Sequence, residues 1–392
     1  MSSPPETDEA SLWRRLHACP QILERIAAFD GPALRLQTQL RQEFPDELVR
    51  KALTLVDLRQ RAVAKFSRAE HMWFDRTGYE QATPELVAAH KAQRFSGDVW
   101  DFCCGIGGDA IALAARGAVR AVDVNPSACL WTEWNAQAYG VHDSIETVRA
   151  SIEDVPQRDG LLHIDPDRRP GPQGRTLRLE DAIPPLPVLR QLMSDFRGGA
   201  VKFSPAGNFM DKFPGSEIEL ISLRGECKEA TIWFGELAGP HLFRATMLPS
   251  GETIGGHPLE SIAQQRPPGR FLYDPDPAIV RAGLVDLLAE RRGLARLDSE
   301  EEYLTSDELV TTSFARAFEV LDVTPNNPRD FRRAVAHAEF GQIEIKCRHV
   351  PVDAQRIRRK LPLNGMQPGV LVFARVDGKT RALVCRRVAR KF

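Results

Sequence analysis

The chain of 392 residues contains no run of about eighteen apolar residues, which excludes a membrane-spanning helix. Its 7 cysteines are an odd set with no Cys-x-x-Cys pair, so reduced thiols are expected, and neither structural zinc nor any other metal. The opening residues Met1-Ser2-Ser3-Pro4-Pro5-Glu6 lack the apolar region of a signal peptide, and a cytoplasmic protein is expected. Internal repeats and long low-complexity tracts are also missing, which excludes solenoids and low-complexity arrays. Net charge is nearly absent, with 52 Lys and Arg against 53 Asp and Glu. That balance hides an asymmetry. Residues 341–392 hold 13 Lys and Arg against 3 Asp and Glu, which leaves the rest of the chain acidic. A basic segment on an acidic body is a footprint of nucleic-acid binding; a solvated basic face is the alternative.

What the chain does contain is concentrated at Val99-Trp100-Asp101-Phe102-Cys103-Cys104-Gly105-Ile106-Gly107-Gly108-Asp109. This reads as a buried strand, a glycine-rich turn and the start of a helix. Such a unit brings backbone close to a ligand and aims unpaired N–H groups at it. About twenty residues on, Ala121-Val122-Asp123-Val124-Asn125-Pro126 is a second short strand, ending in an acid that suits the two hydroxyls of a ribose. A pyrophosphate is disfavoured by a carboxylate at the helix start, and here Asp101 and Asp109 flank the turn. Two carboxylates suit a ligand with a sulfonium, an amine and an adenosine but no phosphate, namely S-adenosylmethionine. The alternative makes Asp109 a helix cap and the glycines a plain turn. Cys103-Cys104 reads as a pair of small hydrophobes rather than a redox couple.

Around this unit, residues 8–68 have apolar positions at helical spacing and few glycines, so a small helical bundle is expected, with boundaries at Pro20 and Pro45. Thr83 is placed as an N-cap, Pro84 at the first helical position and Glu85 in the first turn of a helix running to about residue 95. From Val99 to about residue 246, strands and helices alternate, the pattern of a parallel, doubly wound α/β sheet. Strands are expected at 99–102, 121–124, 144–149, 160–164 and 200–203, with helices from Pro126 to a stop at Gly140 and at 186–196. Strands at 217–223 and 229–234 close the sheet. In open α/β sheets ligands lie beyond the carboxyl ends of the strands, so Asp101, Asp123 and Asp165 converge on one crevice. Residues 249–270 read as a linker, and 277–290 and 331–338 as helices. The basic end reads as strand 342–347, helix 353–360, strand 369–376, an Asp377-Gly378 hairpin and strand 381–388. The expected division is a helical region 1–76, a catalytic domain 77–248, a linker 249–270 and a small α+β domain 271–392.

The Thr83-Pro84-Glu85 helix, Asp101-Phe102-Cys103-Cys104-Gly105-Ile106-Gly107-Gly108, Asp123 and Asn135-Ala136-Gln137-Ala138-Tyr139-Gly140 stand in the order found in class I S-adenosylmethionine-dependent methyltransferases, whose sheet is Rossmann-like. The chain most resembles the trimethylguanosine synthase type, RNA enzymes that methylate an exocyclic guanine nitrogen, over residues 75–205. Its C-terminal part is similar to the THUMP-like domain joined to such enzymes in bacteria. The resemblance implies that Asp101, Cys103, Gly105, Gly107 and Asp109 surround the methionine tail and Asp123 and Val124 the ribose. Where the family often has an acid near the adenine, this chain departs with Ala150-Ser151 followed by Glu153 and Asp154, so Ser151, or Asp154 in its place, is expected there. It further implies that Asp165 and the Pro166 carbonyl orient the target amine, beside Thr83. The chain departs from the pattern at Asp165-Pro166-Asp167-Arg168-Arg169-Pro170, where a second proline and an aromatic are replaced. Arg168 and Arg169 suit stacking on a base or holding a phosphate, or a carboxylate or phosphate on a small substrate. Lys346, Arg348, Arg358 and Arg359 are expected on RNA phosphates. The leading expectation is N-methylation of a base in tRNA or rRNA. The alternatives are a small-molecule methyltransferase, a non-catalytic binding protein with the same fold, and a nicotinamide oxidoreductase.

Overall fold

The computed structural model describes residues 8–155, 159–168, 170–171, 174–175, 179 and 182–388. The chain forms two compact units: Met1–Ser216 with Thr231–Gly239, and Glu217–Ala230 with Pro240–Phe392. The stretch read as a linker carries a strand, Glu252–Gly256. No helix among the described residues is long and apolar enough to cross a membrane.

The first unit opens with α1 (Asp8–His17), α2 (Pro20–Ala28), α3 (Ala33–Glu43) and α4 (Asp46–Ala62). Pro20 takes the first position of α2, and Pro45 directly precedes α4, where a fixed φ and a missing N–H cost nothing. Leu48, Val49, Ala52, Leu55 and Leu58 recur at three- and four-residue spacing and bury one face of α4. The bundle shares its core with the helix at 126–139: Trp13 packs edge-on against Trp131 at 5.3 Å between ring centroids, and Trp73 against Trp134 at 5.2 Å. The bundle is therefore a cover bonded to one flank of the sheet.

That sheet contains β1 (Val99–Phe102), β2 (Val119–Asp123), β3 (Ile145–Arg149), β4 (Leu161–Ile164) and β5 (Gly198–Phe203), parallel and ordered β3-β2-β1-β4-β5. β1 and β4 are buried along their whole length, as expected of strands covered on both faces. The helices are α5 (Arg76–Gln81), α6 (Glu85–Ala92), α7 (Gly108–Leu113), α8 (Pro126–Tyr139) and α9 (Leu186–Asp195). α8 starts with an Asn125 cap to the Ser127 N–H and stops at Gly140, whose φ of 69° is the left-handed helix stop. At α6 the N-cap is Pro84, not Thr83. The Thr83 hydroxyl instead donates to a carboxylate, a stronger acceptor than a cap affords a donor. Strand order reverses between β1 and β4, and this switch point fixes the crevice beyond Phe102 and Ile164.

In the second unit, Phe243–Leu248 pairs parallel to Glu217–Leu223 and antiparallel to Glu252–Gly256. A separate seven-stranded sheet runs in the order Ala295–Arg296, Leu304–Ser306, Phe271–Pro275, Ala315–Pro325, Lys379–Arg387, Gln367–Val376, Phe340–Cys347. The Asp377-Gly378 hairpin forms with both residues at positive φ, and Val376 pairs with Lys379. Phe331, Ala334 and Val335 from helix Pro328–His337, with Ile357 from helix Ala354–Arg358, cover one sheet face. The single helix expected at 277–290 is two, Pro277–Arg281 and Val285–Arg292, because Gly283 lies between them at φ 68°.

Candidate active site

The turn after β1 is built from left-handed backbone: φ is 58° at Cys103, 59° at Gly105 and 80° at Gly107. At Gly107 a Cβ would also meet Thr132 at 3.0 Å, so both conformation and space demand glycine there. The turn is tied down from three sides. The Gly105 N–H donates to Asp123 Oδ2 at 3.0 Å, while Asn125 N–H donates to Asp123 Oδ1 at 2.8 Å. Thr132 donates to the Gly105 carbonyl at 3.2 Å. Asn135, wholly buried, donates to the Ile106 carbonyl at 2.8 Å and to the Trp73 carbonyl at 3.0 Å, and accepts from Trp73 N–H at 2.6 Å. One amide thus locks the turn to the end of the helical bundle. Burial pushes the Cys104 thiol well above its ordinary value, helped by Asp123 and Asp101, so it is inert as a nucleophile.

Beneath the turn lies a buried chain of ionisable groups that sequence reasoning missed. Asp101 and His163 are abreast on β1 and β4, and His163 Nδ1 sits 2.6 Å from Asp101 Oδ1. His163 Nε2 is 3.3 Å from Lys91 Nζ, and Lys91 Nζ is 2.9 Å from Asp109 Oδ1. Thr83 donates to Asp109 Oδ2 at 2.7 Å. An ammonium only donates, so Nε2 accepts from Lys91 and Nδ1–H donates to Asp101, which sets the tautomer. Burial works against the Asp109 charge, but the Lys91 ammonium, with Lys202 behind it, outweighs burial and holds the carboxyl well below the usual range. Burial pushes Asp101 the other way, upward, against the pull of His163. Its Oδ2 is buried with no hydrogen-bond partner among the described residues. The signals that could have revealed this chain are a lone His inside the apolar run Leu161-Leu162-His163-Ile164 and a buried Lys in the last turn of α6.

At the end of β4, Asp165 is 29% exposed and its Oδ2 lies 2.5 Å from Lys202 Nζ. Lys202, on the buried strand β5, also donates to the Gln81 carbonyl at 3.4 Å. Pro166 is buried beside it. The structure therefore brings Asp101, Cys103, Gly105, Gly107, Asp123, Asp165 and Pro166 to the carboxyl ends of β1, β2 and β4. Val124, 65% exposed, follows β2 directly. A cavity of about 260 Å³ lined by Phe66, Glu85, Ile111 and Tyr139 includes none of the three strand-end acids.

Other expected site residues are placed differently. Thr83 is 2% exposed and engaged with Asp109, so neither presents a free polar group to a ligand. Ser151 donates to Asp154 at 2.7 Å, which couples the two residues expected near adenine. Arg169 and the side chain of Arg168 lie outside the described residues. Lys346 and Arg348 meet Asp274 at 3.0 and 2.6 Å inside the second unit, and Lys346 also meets Glu344 at 3.3 Å, so both cations are engaged in ion pairs there. Arg358 and Arg359 are exposed. Glu301, Glu302 and His349 place ligand atoms within 4.8 Å of one another, but Glu301 accepts from the backbone of Arg375 and Glu302, and His349 is bonded to Glu302.

An unpartnered carboxylate oxygen, a turn of left-handed backbone, a ribose-type acid and an exposed valine fit a ligand with an ammonium tail, a ribose and an apolar ring. Residues 97–182 match the family described as RNA cap guanine-N2 methyltransferase, and residues 315–387 the family described as THUMP domain-like. Uncharacterised S-adenosylmethionine-dependent methyltransferases from two strains of Mycobacterium tuberculosis are 36% identical to it over 349 residues, 84% of this chain and 94% of theirs. A crystal structure from Porphyromonas gingivalis W83, provisionally described as a methyltransferase, shares the fold at a TM-score of 0.75 and 18% identity, covering 99% of this chain and 100% of that one. With a site that fits the cofactor and a match of that extent, the chain belongs to the S-adenosylmethionine-dependent methyltransferases, and S-adenosylmethionine is its cofactor.

Proposed function

We propose that this methyltransferase N-methylates a base in RNA, with Asp165 as the catalytic residue. The observation that carries the reading is the half-exposed Asp165 at the switch point, its carboxylate held against the Lys202 ammonium. When bound, S-adenosylmethionine supplies an electrophilic methyl group whose transfer to a nitrogen lone pair breaks a carbon–sulfur bond. The chain's part is alignment and proton handling. Asp101 and the backbone of residues 103–107 hold the amino-acid tail, and Asp123 holds the ribose. Asp165 and the Pro166 carbonyl accept the N–H groups of the target amine, which turns its lone pair toward the methyl. The Lys202 ion pair holds the Asp165 carboxylate in place, and that carboxylate takes the proton the nitrogen gives up.

RNA as the substrate rests on the two family matches and on the surface of the second unit. Helices Pro328–His337 and Ala354–Arg358 pack on the same sheet face, and Arg329, Arg332, Arg333, Arg356, Arg358, Arg359 and Lys360 on and beside them are exposed. These residues, rather than Lys346 and Arg348, are the phosphate contacts of this reading.

The test uses methyl-labelled S-adenosylmethionine and an extract of cells lacking the gene, fractionated into RNA, protein and small molecules. Label in RNA that disappears with Asp165→Ala, while the variant still binds cofactor, is the expected result. Label among small molecules overturns the RNA assignment. Binding to the labelled RNA should weaken on the order of 10³-fold between about 50 and 200 mM salt for about six phosphate contacts.

A further inference from the structure

The chain Asp109–Lys91–His163–Asp101 is satisfied at every link except its last atom. Asp109 has Lys91 and Thr83, Lys91 has Asp109 and His163, and His163 has Lys91 and Asp101. Asp101 is 1% exposed and has His163 on Oδ1 and, among the described residues, no hydrogen-bond partner on Oδ2. Leaving one oxygen of a buried carboxyl without a donor is costly, and such atoms call for an explanation. The rest of the chain leaves Asp101 little freedom to find a partner by moving. Its imidazole neighbour is held in one tautomer between a carboxylate and an ammonium, and is itself 1% exposed, with the Phe95 ring edge-on at 6.4 Å.

We propose that His163, backed by Lys91, is a positioning residue for the amino-acid tail of the cofactor: it holds Asp101 by Oδ1 so that Oδ2 receives the ligand's ammonium group. The missing donor is then supplied by the ligand, and the alignment by β1 and β4. The proposal rests on the reading of Asp101 as a cofactor-binding residue. It adds that a residue touching no ligand sets the affinity for one end of that ligand.

Two probes separate the ends. S-adenosylhomocysteine carries the amino-acid tail, and 5′-methylthioadenosine carries the same nucleoside without it. Calorimetric titration of the full chain should show His163→Leu weakening S-adenosylhomocysteine by about tenfold or more. Binding of 5′-methylthioadenosine should stay within about twofold, which also reports that the variant is folded. His163→Asn, which keeps a donor for Asp101 Oδ1, should recover most of the loss. His163→Gln carries its amide one methylene further out, to the Nε2 position where it accepts from Lys91 rather than to the Nδ1 position facing Asp101. It should therefore resemble His163→Leu, and it serves as the negative variant if His163→Leu does not fold. Unchanged S-adenosylhomocysteine affinity, equal loss of both probes, or no rescue by His163→Asn would overturn the proposal. Asp101→Ala separates the two readings. If it leaves S-adenosylhomocysteine binding intact, the cofactor site itself is misplaced, whereas a loss there with none in the His163 variants removes only the positioning role.

Discussion

Asp101 ends a strand and Asp109 begins the next helix, with one glycine turn between them, yet their carboxyls sit in opposite electrostatic states. Asp109 is boxed in by the Lys91 ammonium at 2.9 Å and the Thr83 hydroxyl at 2.7 Å, and its acidity is strengthened. Asp101 is more deeply buried, has one imidazole donor and, among the described residues, no partner on its second oxygen, and its acidity is weakened. The difference separates a structural acid from a binding acid. Asp109 fastens α6 to α7 and so fixes the wall of the crevice. Asp101 is left short of partners, which destabilises the free protein and leaves a place for a cationic ligand.

The largest expected effect comes from removing the cation that Asp109 relies on. Lys91→Met leaves a buried carboxylate uncompensated and should lower unfolding free energy by about 3–5 kcal/mol, read from urea denaturation. Thr83→Val removes only a hydroxyl from the same carboxylate, and a loss of about 1.5–3 kcal/mol is expected in the same assay. Asp101→Asn should do the opposite. It keeps an acceptor for His163 but removes the buried charge, so the free protein should gain about 1 kcal/mol while losing affinity for S-adenosylhomocysteine. A loss of stability on Asp101→Asn would erase the contrast between the two acids.

The pH dependence sharpens the comparison further. The folded-state value of Asp109 lies below its unfolded value of about 4, so its contribution is complete above about pH 4 and is lost as pH falls toward the folded value. For Asp101 the folded value lies above the unfolded one, so the folded state retains a proton that the unfolded chain has released. Its contribution to stability therefore declines as pH rises from about 4 through the folded value. Unfolding midpoints measured across this range should show Asp109→Asn flattening the acid limb. The advantage of Asp101→Asn over the native chain should grow with pH. Parallel curves for both variants would contradict these assignments.

Much of the first unit was legible in the chain. The Val99–Phe102 strand, the turn, Asp123 and the Pro126 to Gly140 helix were all marked by local signals that tertiary packing did not override. The second unit was harder to read. Strand Ala315–Pro325 has charges interleaved with its apolar residues and a bulge between Val320 and Asp322, so its alternation is broken. Strand Phe271–Pro275 carries Asp274, which pairs with both Lys346 and Arg348, two cations that the sequence alone places on RNA phosphates.

Element order, the glycine turn and the acids at the ends of β1, β2 and β4 are readable along the chain, because periodicity, caps and left-handed glycines are local properties. Which of those acids keeps an oxygen without a hydrogen-bond partner among the described residues depends on packing. Lys91, His163 and Lys202 come from three separate elements and reach the acids only once strand register and helix packing bring them within hydrogen-bond distance. The charge state of a buried carboxyl depends on these neighbours in space, and adjacency along the chain does not encode them.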